Sequence, residues 1–231
     1  VRMALQRRGR LIRRDLSGVS VLATTLPPSD LDVVLAMPGV RGISLDAPLL
    51  AAGVSKKMPS KSLAPVAPGP TALPDDGPVA AAQYATLFGA LGLQGTPWTG
   101  EGVGVAVVDS GIDGRADAFR GRVRAFFDFT IDGRSAPPTD DYGHGTYVAG
   151  LIGASSGAFA ALAPHVQFVG AKVLDASGEG STSAVIAALE YLTENRRRLG
   201  VDIVNLSLGH PILEPAADDP LVQAVQQATA A

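Results

Sequence analysis

Val103-Gly104-Val105-Ala106-Val107-Val108-Asp109-Ser110-Gly111-Ile112-Asp113 decides the fold class. Residues 103–108 are apolar or glycine without a polar alternate, which predicts a strand buried on both faces, as in a parallel sheet covered by helices. The run ends in a carboxylate, so Asp109 emerges at the strand's carboxyl end, where open α/β sheets place their chemistry. An aspartate there can accept a hydrogen bond from an imidazole, fix its tautomer and stabilise the imidazolium. Asp-Ser-Gly is also good turn chemistry, so a turn-capping Asp109 is the plainer alternative.

An imidazole is available 35 positions later (144 − 109). Asp140-Asp141-Tyr142-Gly143-His144-Gly145-Thr146-Tyr147-Val148-Ala149-Gly150-Leu151-Ile152-Gly153 sets one histidine between two glycines. The glycines permit a sharp turn into a helix. Val148, Leu151 and Ile152 are expected on its apolar face, with Ala149 and Gly150 allowing close packing. A histidine held rigidly at a helix start suits a general base; a surface turn histidine is the alternative.

These two segments resemble those of the subtilisin-like serine proteases, the subtilase family. The aspartate motif corresponds to Val107-Val108-Asp109-Ser110-Gly111-Ile112-Asp113, and the histidine motif to Gly143-His144-Gly145-Thr146-Tyr147-Val148-Ala149-Gly150. Asp before His, with serine still to come, is the subtilisin order. The resemblance implies acyl transfer: a serine attacks the peptide carbonyl, His144 takes its proton and Asp109 orients His144. No Gly-Thr-Ser nucleophile motif occurs in the chain. The serine, and an oxyanion-holding asparagine, are therefore expected beyond residue 231, and the chain as given is expected to be inactive. Two alternatives stay open: a non-catalytic member that binds peptides in its cleft, and a propeptide-like inhibitor in residues 1–50 acting in trans.

Composition narrows the partners. A net charge of −3 over 231 residues gives no reason to expect nucleic acid. The absence of cysteine excludes disulfides, thiolate chemistry and cysteine-based metal sites. No run of eighteen apolar residues exists, so no membrane span is expected. The chain opens at Val1 in what reads as the middle of an element, and is expected to be a fragment, so the lack of a secretory signal carries no weight.

Three regions follow in order. Residues 1–50 carry a β-branched strand pattern over 18–26, a helix opened by Pro27-Pro28-Ser29 with Ser29 as its cap and Leu31, Val34 and Leu35 as its stripe, and a second strand over 40–45. So short a unit needs a partner surface. It resembles the carboxyl-terminal part of the subtilase propeptide, a small α+β domain that assists folding and inhibits the enzyme. Seven Arg against four Asp give it a charge of +3, which suits docking on a more acidic body. Residues 51–80, rich in Pro and Ala, read as a linker, and maturation cleavage is expected between about residues 50 and 80. Residues 81–231 are expected to be an incomplete catalytic domain, a mostly parallel sheet flanked by helices, beginning with a helix over 81–93.

Within that domain Gly100, Gly102 and Gly104 precede a strand, the reverse of a dinucleotide fingerprint. Residues 123–129 read as an edge strand or extended loop, residues 161–175 as giving another buried strand, and His165 as a solvated turn. The best helix spans 182–199, with Val185, Leu189 and Leu192 on one face and Gly200 at its end. By the resemblance, Gly178, Glu179 and Gly180 form one wall of a substrate cleft and Ser207, Leu208 and Gly209 the other, so an extended peptide can add as a strand. Glu179 hints at tolerance for basic residues. The resemblance implies protein or peptide substrates, the chain's own propeptide as a partner, secretion, and no required cofactor. Structural calcium is left open, because Arg115-Ala116-Asp117 departs from the family's pattern and leaves one ligand unassigned. No metal ligands are assigned. Tyr147 stands where many members have a second histidine.

Overall fold

The computed structural model describes residues 1–52, 88–156 and 159–231. All but the first two residues of the expected linker, and residues 81–87 of the expected helix, lie outside the described residues; 88–90 are helical. In chain order the elements are α1 (Arg2–Arg7), β1 (Ile12–Leu16), β2 (Val21–Thr24), α2 (Leu31–Leu35), β3 (Pro48–Ala51), β4 (Gly104–Asp109), β5 (Val123–Asp128) and β6 (Arg134–Ser135). Then come α3 (His144–Gly153), β7 (Ser155–Ser156), β8 (Phe159–Ala160), β9 (Gln167–Lys172), β10 (Glu179–Ser181), α4 (Thr182–Leu199), β11 (Ile203–Leu206), β12 (Leu208–Gly209) and α5 (Pro220–Ala230).

The central sheet has the order β11-β4-β9-β5-β6. Its β11/β4, β4/β9 and β5/β9 ladders are parallel, and only β6 runs antiparallel. The fold is α/β, as expected. Every residue of β4 is buried, and its alternation explains why. Ala106 and Val108 pack with Val185, Leu189 and Leu192 of α4. Val105 and Val107 pack with Val148 and Ala149 of α3 and with Phe168. Helices on both faces remove the need for any polar position along the strand.

α4 spans its expected range; the Ser181 hydroxyl caps it by accepting from the Ala184 amide, and Gly200 ends it at φ +63°. Among the described residues no helix is long and apolar enough to cross a membrane.

Several local expectations are corrected. α3 buries Gly145, Val148, Ala149 and Gly153, whereas Leu151 is 52% exposed. At 3.6 residues per turn Leu151 lies more than about 100° from the centre of that face. β5 is an edge over most of its length, as expected, and β6 covers only its last two residues, Phe127 and Asp128. In α2 only Val34 is buried, and no side chain caps the helix. Five residues are too few to present a stripe, and the turn enters through a 3-10 segment, Pro28–Asp30.

Residues 40–45 form no strand. Between them and β2 lies a cavity of about 510 Å³, lined by Val21, Ala23, Val40, Ile43 and Leu45 among others.

Residues 1–52 lie on the second half of the chain. Leu16 and Val19 join the core beside α4. The Glu190 carboxylate accepts from the Val19 amide at 3.2 Å, and Asp46 accepts from the Ser183 amide and hydroxyl, both at 2.8 Å.

Candidate active site

Asp109 and His144 meet. His144 Nδ1 lies 2.8 Å from Asp109 Oδ1 and 2.9 Å from Oδ2. The Asp109 side chain is fully buried and that of His144 is 16% exposed. A carboxylate only accepts, so the proton sits on Nδ1, and Nε2 carries the lone pair. The ring is thus set to take a proton at Nε2. Proximity depends on Gly145. An added Cβ there would stand 2.1 Å from the Gly111 carbonyl oxygen and 3.0 Å from Asp109 Cβ, so only glycine lets α3 press this closely on the end of β4.

The loop between them supplies the helix start. Gly143, at φ +95°, offers no side chain as a cap. The exposed ends of the first helical amides are met from elsewhere: Gly145 N–H donates to Ser110 Oγ at 3.0 Å and Thr146 N–H to Asp140 Oδ2 at 2.8 Å. Burial pushes the Asp140 carboxyl up, but hydrogen bonds from Thr146, Gly143 and Ser110 outweigh it and hold the group below the usual aspartate range. Beneath the pair, Lys172 is buried. Its ammonium donates to the Ser110 carbonyl at 2.7 Å and lies 3.5 Å from Asp141.

The expected cleft residues gather at the same sheet edge. β9 and β11 flank β4, and the segments that follow them carry Gly178, Glu179 and Gly180 on one side and Ser207, Leu208 and Gly209 on the other. Between these segments runs β3. The three strands form an antiparallel sheet, β10-β3-β12, in which Glu179 faces Leu50 and Gly180 faces Leu49, while Leu208 faces Ala51 and Gly209 faces Leu50. Ala51 N–H donates to Gly178 O at 3.4 Å, and Ala52 N–H to Ser207 O at 2.8 Å. Leu49 is completely buried there. Gly178, at φ +73°, lies against the Tyr142 ring; a Cβ would stand 2.5 Å from it. The segment around Gly178 therefore touches the loop that leads into His144.

Sequence reading passed over four residues that build this site: Ser110, Asp140, Thr146 and Lys172. Two signals were present. Asp140 stands four positions before a helix-starting histidine that has no capping side chain, and Lys172 closes an otherwise apolar strand. His165 is exposed. His210 Nδ1 lies 2.7 Å from the Pro211 carbonyl and Nε2 3.5 Å from Asp219, away from the pair. Asp113 is tied to Arg115 by hydrogen bonds that hold its carboxyl below the ordinary range. Among the described residues no group of three or more His, Asp or Glu could hold a metal ion.

Residues 100–231 match the sequence profile of the Subtilase family, Peptidase S8. Similar curated proteins include Serine protease AprX of Bacillus subtilis (strain 168), 37% identical over a 146-residue alignment that covers 59% of this chain and 32% of that protein. Alkaline elastase YaB of Bacillus sp. (strain YaB) is 40% identical over 139 residues, 59% of this chain and 33% of the relative. Subtilisin Savinase of Lederbergia lenta is 42% identical over 134 residues, 57% and 45%. The chain thus spans about a third to under a half of the length of these relatives. Among solved structures, a cold adapted subtilisin-like serine proteinase shares 36% identity at a TM-score of 0.47, covering 57% of this chain and 45% of that one.

Proposed function

This chain belongs to the subtilase family, and on that premise we propose that it is part of the proenzyme of a secreted serine endopeptidase. The observation that carries the proposal is the Asp109–His144 hydrogen bond at the carboxyl edge of a parallel sheet. In this reading a serine beyond residue 231 attacks the substrate carbonyl as its hydroxyl proton passes to His144 Nε2. Asp109 holds the Nδ1 proton and offsets the charge of the imidazolium. The same proton then goes to the leaving amine. Without the serine the chain is inactive, because the other members act only through the nucleophile.

Gly178, Glu179, Gly180, Ser207, Leu208 and Gly209 hold the substrate as an added strand. The support is β3 itself, an extended segment of this chain bonded on both edges by the two walls. Residues 1–52 then act as propeptide, with β3 lying where substrate would lie. The maturation cut falls between about residues 50 and 80, in the expected linker. Glu179, beside Leu50 in this sheet, favours substrates with a basic side chain nearby.

The test is expression of the full natural gene product with and without H144A. Hydrolysis of a protein substrate and a new amino terminus between about residues 50 and 80 are expected, both lost in H144A. A product that matures and hydrolyses equally well in H144A would sink the reading.

A further inference from the structure

The carboxylate of Asp140 is the most heavily used acceptor beside the pair, and the catalytic scheme above gives it no part. Oδ1 accepts from Ser110 Oγ at 2.9 Å, Gly143 N at 2.8 Å and Tyr142 N at 3.3 Å. Oδ2 accepts from Thr146 N at 2.8 Å and Thr146 Oγ1 at 2.6 Å. Each hydroxyl has one proton, and both protons are committed to Asp140. Each hydroxyl oxygen is then free to accept, and does: Ser110 Oγ takes the Gly145 amide at 3.0 Å, and Thr146 Oγ1 takes the Asp113 amide at 2.9 Å. All donor and acceptor directions are thereby fixed. A backbone bridge between Gly111 and Asp140 closes the circuit.

The circuit has a specific geometry. Ser110 and Gly111 follow Asp109 directly; Gly143 and Gly145 flank His144 on both sides. Asp140 therefore ties the segment that carries the acceptor of the pair to the segment that carries its donor. The strand end is anchored, with Ser110 N–H donating to Asp109 Oδ1 at 2.7 Å and Lys172 to the Ser110 carbonyl at 2.7 Å; α3 is the segment that needs fixing, because it has only a glycine at its cap position and Gly145 leaves no side chain to set its distance from β4. We propose that Asp140, through Ser110 and Thr146, is the positioning residue that sets the Asp109–His144 hydrogen bond. The role rests on the pairing of Asp109 and His144 put forward above, and goes beyond it by placing control of that distance in a third carboxylate.

The ionised form is required, because all five partners donate. An amide in place of the carboxylate would turn an NH₂ group toward donors on one side, so D140N breaks two or three of the five bonds with almost no change in volume. The charged groups around Asp140 are Asp113 with its partner Arg115 on the loop after β4, Asp141 in its own loop, Lys172 from β9, and the Asp109–His144 pair.

The experiment is proton NMR on the full natural gene product, following the low-field Nδ1 proton of His144 and its exchange with water. Wild type and D141N are expected to show it with the same exchange rate. D140N is expected to exchange at least about tenfold faster, the scale set by losing one charge-assisted hydrogen bond, while amides of β4 and β9 remain protected. An exchange rate in folded D140N within about twofold of wild type overturns the proposal. If D140N does not fold, S110A takes its place, since it removes the hydroxyl through which Asp140 reaches the residue next to Asp109 and the Gly145 amide, and leaves the four other bonds to Asp140. Exchange faster than wild type supports the role, and an unchanged rate overturns it. A wild type that shows no low-field proton at any pH refutes the Asp109–His144 pairing itself, which is a different failure from a D140N variant that keeps it.

Discussion

Gly145→Ala isolates the steric condition on which the site depends. Gly145 sits in α3 with helical backbone angles, so alanine is conformationally welcome and on propensity alone gains up to about 1 kcal/mol. Space works the other way. The added methyl would stand 2.1 Å from the Gly111 carbonyl oxygen and 3.0 Å from Asp109 Cβ. An ordinary carbon–oxygen contact is about 3.2 Å or more, so the helix start must withdraw from the end of β4 by roughly 1 Å. The obstacle is backbone on a buried strand end, which cannot swing aside. Overpacking of this kind costs about 1–3 kcal/mol, which exceeds the propensity gain. The same withdrawal lengthens the His144–Asp109 contacts from 2.8 and 2.9 Å beyond hydrogen-bonding range. Denaturant unfolding is expected to show net destabilisation of about 1–2 kcal/mol, and NMR the loss of the low-field His144 proton. A G145A chain as stable as wild type, with that proton intact, would refute the reasoning.

Three further outcomes are expected. Lys172→Met leaves the buried Ser110 carbonyl without its donor, and should lower stability by about 1–3 kcal/mol in a denaturant titration. Leu49→Ala empties a fully buried position of β3; it should cost about 2–5 kcal/mol and make residues 1–52 cut faster in limited trypsin digestion, while residues 104–109 stay protected. Two carboxyl groups should give opposite pH slopes. The Asp140 carboxyl is held low in the folded chain, so its contribution is present above the unfolded value and lost as pH falls through the folded one; D140N should flatten stability on the acid side. Burial pushes Glu190 up despite donors at Val19 and Gly18, so its ionisation opposes folding as pH rises from the ordinary glutamate value to the raised one; E190Q should be relatively more stable above that window.

What was readable in the sequence follows from how locally each feature is determined. β4 was legible because burial on both faces leaves an unbroken apolar run, and α4 because its stripe, cap and terminating Gly200 agree. Asp109 and His144 were legible as a pair because each sits at the end of such an element. Residues 40–45 have the composition of a strand, but a strand also needs a neighbour, and a cavity lies on the side toward β2. The same limit applies to β3. Pro48–Ala51 straddles the boundary between the small unit and the linker in the sequence, and becomes a strand because residues 129 and 159 positions further along (179 − 50 and 209 − 50) supply both of its edges. Ser110, Asp140 and Thr146 are ordinary turn residues in the sequence. Their role emerges only when the end of β4 and the start of α3 are side by side.

The most direct test of the central claim is fluorophosphonate labelling of the full natural gene product, read by intact mass. One label per matured chain, on a species heavier than 23.6 kDa before maturation and absent from H144A, is the predicted result. A full-length, properly matured product that takes up no label would contradict a working triad and leave the cleft as a peptide-binding site without chemistry.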